Sequence, residues 1–128
     1  MADIVLDSSV LIDHLRGRAE ATEFLLRQGR TGRVLVPALA AWELWKGATT
    51  PRRKAGVQEL LASVEVEPFG PALAQLAAEV FLQLRREGRT KPEYDVLIAS
   101  HAIFRNAPLA TRDRDYEGIP GLEVVKVA

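Results

Sequence analysis

The apolar positions of this chain fall into short runs separated by longer stretches with helical spacing. Residues 4–6, 34–36, 64–69, 109–111 and 124–127 are the short runs, bounded by polar, Gly or Pro residues, and they read as strands. Between them, 9–15, 19–28, 38–48, 51 to about 63, 71 to about 88 and 95–104 read as helices. The punctuation agrees with this. Asp7, Ser8 and Ser9 are cap types ahead of the first helix, Gly29 stands at the end of the second, and Pro51 and Pro71 open two others. Strands alternate with helices, and most are apolar along their length rather than on every second residue. That is the pattern of a parallel sheet covered on both faces. The expected fold is therefore a three-layer α/β/α domain with a central, mainly parallel sheet, formed as one domain over residues 1–128.

Composition narrows the chemistry. The chain has 128 residues and no cysteine, which excludes disulfides and thiolate metal sites. His14 and His101 are the only histidines, so a histidine-rich zinc site is not expected. Neither pairs evidently with Ser8 or Ser9, and both read as packing or surface residues. A metal would sit among carboxylates, which suit hard cations such as Mg²⁺ or Mn²⁺. Lys plus Arg equals Asp plus Glu at 17 each, which argues against a nonspecific basic coat for nucleic acid. No apolar run has transmembrane length and no signal-peptide pattern opens the chain, so the expected location is the cytoplasm and no membrane partner is expected.

Ligands of open parallel sheets gather at the carboxyl ends of the strands. Asp7 follows the first strand, and Asp113 and Asp115 follow the fourth, so all three should open at one edge. Glu43 and Asp95 lie early or midway in helices that can reach that edge. Each acid also has an ordinary reading. Asp7 and Asp95 suit helix N-caps. Glu43, between Trp42 and Trp45, can pair with Lys46. Asp113 and Asp115 lie in a polar turn. The basic groups 51–54, Arg85 with Arg86, Arg89 and Lys91, and the flanking Arg112 and Arg114 are candidates for holding RNA phosphates, against the ordinary reading of solvated faces.

Four stretches carry a family resemblance. IVLDSSVLID over 4–13 resembles the opening of PIN domains, where a strand delivers a first metal-binding Asp. AAWELWKG over 40–47 is similar to the second motif, a helical Glu with Gly four residues later; Trp42 departs from the small residue often found before that Glu. YDVLIASHA over 94–102 resembles the third motif, and LATRDRDY over 109–116 with IPGL over 119–122 resembles the fourth as VapC-type toxins carry it. The resemblance implies a VapC-type endoribonuclease, the toxin of a type II toxin–antitoxin pair, using Mg²⁺ or Mn²⁺. It implies Asp7 and Asp95 as principal metal ligands, Glu43 and Asp113 completing the acidic site, Asp115 in reserve for Asp113, and Thr111 hydrogen-bonding within it. It also implies RNA as substrate, a VapB-type antitoxin covering the cleft, and a homodimer. Two other readings compete. A signalling receiver domain wants paired acids after the first strand, where this chain has Ser8 and Ser9. A catalytically idle PIN-like module that binds RNA or protein is compatible with the same motifs.

Overall fold

A computed structural model describes residues 2–127. Five strands, β1 (Ile4–Leu6), β2 (Val34–Pro37), β3 (Glu65–Glu67), β4 (Leu109–Thr111) and β5 (Val124–Lys126), form one sheet in the order β3-β2-β1-β4-β5. Every pairing is parallel, with Val5 opposite both Leu35 and Leu109. Six helices connect them: α1 (Ser8–Leu15), α2 (Ala19–Thr31), α3 (Ala38–Gly47), α4 (Pro51–Ala62), α5 (Pro71–Arg86) and α6 (Glu93–Arg105). A 3₁₀ turn, Arg114–Tyr116, follows β4. None of the described helices is long and apolar enough to cross a membrane.

The connectivity decides where a site can form. From β1 the chain steps outward to β2 and β3, then jumps back across β1 to β4. Right-handed crossovers place α1 to α4 on one face and α5 with α6 on the other. β1 and β4 are thus neighbours whose onward connections leave in opposite directions, which opens a crevice at their carboxyl ends. The walls of that crevice are rigid. Val5, Leu6, Leu109 and Ala110 are fully buried, as are Val10 and Leu11 of α1 and Ile98 and Ala99 of α6. Tight packing of this kind fixes the strand ends and whatever follows them.

Several element ends differ from expectation, each for a local reason. α2 continues through Gly29, which sits on an exposed helix face where glycine costs only about 1 kcal/mol. The exit comes at Gly32, where a Cβ would stand 1.8 Å from the Ala2 carbonyl oxygen, so only glycine permits the approach. β3 is confined to Glu65–Glu67, because Pro68 has no N–H to offer a ladder. α6 begins at Glu93, two residues early, and ends at Asn106 in the left-handed conformation with φ 52°. Asparagine tolerates that geometry without being the glycine normally sought there. His101 is buried with its Nε2 2.9 Å from Glu67 Oε1, and His14 Nδ1 lies 2.8 Å from Thr22 Oγ1, so both histidines have packing partners.

Candidate acidic site at the β1–β4 crevice

Asp7 occupies the first position beyond β1 and is only 3% exposed. It does cap α1, accepting from the Ser9 backbone N–H at 3.1 Å, as its ordinary reading requires. It also accepts from the Ser9 hydroxyl at 2.6 Å and from the Thr111 hydroxyl at 2.6 Å. Burial nonetheless pushes its carboxyl above the usual range, and these hydrogen bonds offset the rise only in part. Thr111, fully buried at the end of β4, is the bridge across the crevice. Its Oγ1 also accepts the backbone N–H of Asp113 at 2.9 Å, which ties the β4 exit loop to Asp7.

Asp113 caps the 3₁₀ turn by accepting the Asp115 backbone N–H at 2.9 Å. The turn brings Asp115 back toward α6. Asp95, Asp113 and Asp115 each present an oxygen such that all three atoms lie within 4.8 Å of one another. Asp95 does not cap α6, since Pro92 holds the cap position and Asp95 lies in the first turn, aimed at the β4 loop. Partial burial raises its carboxyl above the usual range, and the charges of Asp113 and Asp115 add to the rise; a hydrogen bond from Tyr116 opposes it. The expected choice between Asp113 and Asp115 is therefore not one the geometry makes, because both join Asp95.

Glu43 stands apart from this trio. It sits mid-helix in α3 with its carboxylate 3.4 Å from Lys46 Nζ, so its ordinary ion pair is present. Its charge still reaches the crevice. Burial raises the Tyr94 hydroxyl far above its usual range, and Glu43, Asp7 and Asp95 all contribute to that rise. Tyr94 thus stands among three of the five candidate acids.

Sequence reasoning assigned no role to Tyr94, Tyr116 or Asp13. Tyr116 is 2% exposed, and its hydroxyl is likewise raised by burial and by Asp7 and Asp95. Both tyrosines keep a neutral hydroxyl beside carboxylates. The available signal was their position, Tyr94 adjoining Asp95 and Tyr116 adjoining Asp115. Asp13, nearly buried on α1, accepts from Arg112 Nε at 2.6 Å and has Arg18 Nε at 3.6 Å. Arg112 is consequently committed to holding the β4 exit loop on α1.

Thr111 gives the sharpest local test. Valine has its shape but neither donates to Asp7 nor accepts from Asp113 N–H. Leaving buried polar groups unpaired costs about 1–3 kcal/mol, so Thr111→Val should lose that much stability in urea unfolding, while Thr111→Ser should stay near wild type. Equal stability of the Val and Ser variants would mean that the bridge contributes nothing.

A set of close carboxylates is a poor ion-free arrangement and a good hard-cation one. The donor set of Asp95, Asp113 and Asp115 fits Mg²⁺ or Mn²⁺ in ligand chemistry.

Comparison with known proteins agrees with the expected family. The PIN domain family matches residues 4–122. Ribonuclease VapC10 of Mycobacterium tuberculosis is 34% identical over 108 residues, covering 84% of this chain and 80% of that protein. Among solved structures, VapBC2 from Rickettsia felis, bound to a DNA fragment from its promoter, aligns with TM-score 0.88 at 18% identity over 98% of this chain and 99% of that one. VapBC-5 of Mycobacterium tuberculosis, a member of the VapBC family of toxin–antitoxin systems, aligns with TM-score 0.72 at 28% identity over 99% and 100% of the two chains. A match along nearly the whole chain, together with a relative of that identity, establishes that this protein belongs to the PIN-domain family, in its VapC group.

Proposed function

We propose that the chain is a Mg²⁺- or Mn²⁺-dependent endoribonuclease, a single-domain toxin whose partner is a VapB-type antitoxin. The observation that carries this reading is the approach of Asp95, Asp113 and Asp115 to within 4.8 Å, at the same strand edge as the buried Asp7. The kinship with a protein named as a ribonuclease and with VapBC complexes supports the RNA substrate and the antitoxin. A homodimer and a cytoplasmic location belong to the same reading.

In this proposal Asp95 and Asp113 would hold the cation, Asp115 would add a third carboxylate, and Asp7, which the resemblance put among the principal ligands, would with Glu43 complete the negative wall. When bound, the cation activates a water and neutralises charge developing on the scissile phosphodiester. The chain's own residues do the remaining work. Thr111 and Ser9 fix the Asp7 carboxylate in one orientation. Tyr116, 2% exposed, backs Asp95 and opposes part of the rise in its proton affinity. Asp7, held by the hydrogen bonds from Ser9 and Thr111 and buried at the same strand edge, adds fixed negative charge behind the trio.

The purified chain should cleave single-stranded RNA in Mn²⁺ or Mg²⁺, stop in EDTA, and lose cleavage in the Asp7→Asn variant. A chain that binds RNA with metal present but leaves it intact would instead be an idle PIN-like module.

A further inference from the structure

We propose that Asp13 is a positioning residue whose buried carboxylate holds the Arg112 guanidinium out of the acidic crevice, keeping Asp95, Asp113 and Asp115 open to a cation. This rests on the metal-dependent reading above and adds to it what keeps the site free of the chain's own positive charge. Arg112 stands between two residues of the crevice, Thr111 and Asp113. Its backbone N–H lies 3.2 Å from Ser9 Oγ, and that hydroxyl is itself bonded to Asp7. An arginine side chain that starts there is long enough to reach Asp7 or Asp113. Its guanidinium carries a fork of N–H donors that matches carboxylates, the chemistry that Asp7, Asp95, Asp113 and Asp115 all present. Without another partner, Arg112 would be an internal competitor for the oxygens that suit a metal.

Asp13 provides that partner. Arg112 Nε donates to Asp13 Oδ2 at 2.6 Å. Asp13 lies one turn beyond Ser9, about 6 Å further along α1 at about 1.5 Å per residue, so it draws the side chain along the helix. Stability is a poor reason for burying a carboxylate there, since apolar residues in place of such a pair are commonly as stable or more so. Asp13 is 4% exposed, and its Oδ1 makes no hydrogen bond among the described residues, with Arg18 Nε 3.6 Å away. Nor does the loop rely on the pair alone. Bonds from Thr111 Oγ1 to Asp7, from Arg112 N to Ser9 and from Asp113 N to Thr111 already hold three successive residues. The ion pair reinforces that hold, and its distinct consequence is where the guanidinium sits. Arg114, the other cation of this segment, is exposed and has no such partner among the described residues.

The test reads Mn²⁺ affinity by calorimetry, in salt of about 0.15 M, where an exposed charge is screened beyond about 8 Å and a released guanidinium acts by contact. Asp13→Asn should weaken Mn²⁺ binding about fivefold, the upper end for an ion pair at a partly exposed place. Arg112→Ala alone should bind within about twofold of wild type, and Asp13→Asn/Arg112→Ala should recover wild-type affinity. Asp13→Asn/Arg114→Ala should stay weak. The rescue is the signature, because a pair that only anchored the loop would leave both single variants weak and the double variant no better. Arg112→Gln, uncharged but able to donate to Asp13, covers the case in which Arg112→Ala unfolds around the buried carboxylate. It should match wild type both alone and combined with Asp13→Asn. Wild-type affinity in Asp13→Asn overturns the proposal, as does failure of both arginine variants to rescue it; RNA cleavage that persists alongside either result leaves the endoribonuclease reading standing. A rescued cycle in a chain that never cleaves RNA retains the role of Asp13 and refutes the nuclease reading. Absence of Mn²⁺ binding in wild type and every variant refutes both.

Discussion

Asp95→Asn is expected to lower RNA cleavage by about a hundredfold, roughly 2.7 kcal/mol of barrier, while making the metal-free protein more stable. The two effects have one cause. Asp95 lies with Asp113 and Asp115 in a group whose oxygens are within 4.8 Å, and burial together with those two charges raises its proton affinity. Without a cation the ionised group repels itself. Asparagine removes one charge and keeps the side-chain oxygen that Tyr116 can donate to. The apo protein should therefore melt higher than wild type, and the stabilisation that Mn²⁺ gives the wild type should largely vanish, because the ligand that differs between folded and unfolded states is gone. An aspartate that merely supported the helix start would behave oppositely, losing stability on substitution and leaving activity intact.

The pH dependence follows the same logic. Asp7 and Asp95 take up a proton more readily in the folded chain than in the unfolded one. The unfolded state thus binds fewer protons in that range, and stability falls as pH rises through the raised native values. Metal-free protein should gain melting temperature as pH is lowered from neutrality through the raised native values, with a shallower gain in Asp95→Asn. Asp3 and Glu87, held below the ordinary carboxylate range by hydrogen bonds from Arg33 and Arg89, act in the reverse sense, and their contribution is lost only at lower pH. With Mn²⁺ present the trend should invert, since protons compete with the cation for the same oxygens.

What the sequence made legible was whatever depends on local pattern and order along the chain. The strands at 4–6 and 109–111 were readable from apolar runs, and the alternation of strands and helices made it feasible for their carboxyl ends to share an edge. That the two are neighbours comes from the strand order β3-β2-β1-β4-β5, which local pattern does not determine. Asp7 was found because a strand end is a defined place. The limits of α2 and α6 were not readable, since they depend on the Gly32 backbone meeting Ala2 and on Asn106 accepting a left-handed turn. The 3₁₀ turn was missed for the same kind of reason. The turn places Asp115 near Asp95, and it is set by the Thr111 and Asp113 hydrogen bonds together with the Glu117 N–H to Arg114 carbonyl bond. Tyr116 looked like a residue of a polar loop, yet its ring is buried under the acids. The Arg112–Asp13 pair spans 99 positions, beyond any reading by spacing.

The two aspartates after β4 should separate on substitution even though both reach Asp95. Asp113 is held at two points. Its backbone N–H is bound by Thr111, and its Oδ1 accepts the Asp115 N–H, which leaves Oδ2 fixed in place and free. Asparagine caps as well as aspartate does, so Asp113→Asn keeps the turn and removes only the charge. Asp115 is exposed, and among the described residues no hydrogen bond holds its carboxylate, so ordering it at a cation costs side-chain entropy that Asp113 has already given up on folding. Cleavage at saturating metal should fall at least tenfold in Asp113→Asn, about 1.4 kcal/mol of barrier, and two- to fourfold in Asp115→Asn. The double variant decides whether they act together. If both serve one cation, the loss in the pair should fall short of the product of the single losses, because the second substitution acts on a site already weakened. Strict multiplicativity would place Asp115 outside the cation's reach. A larger loss from Asp115→Asn than from Asp113→Asn would transfer the principal role to the exposed carboxylate and leave Asp113 as the cap of the turn.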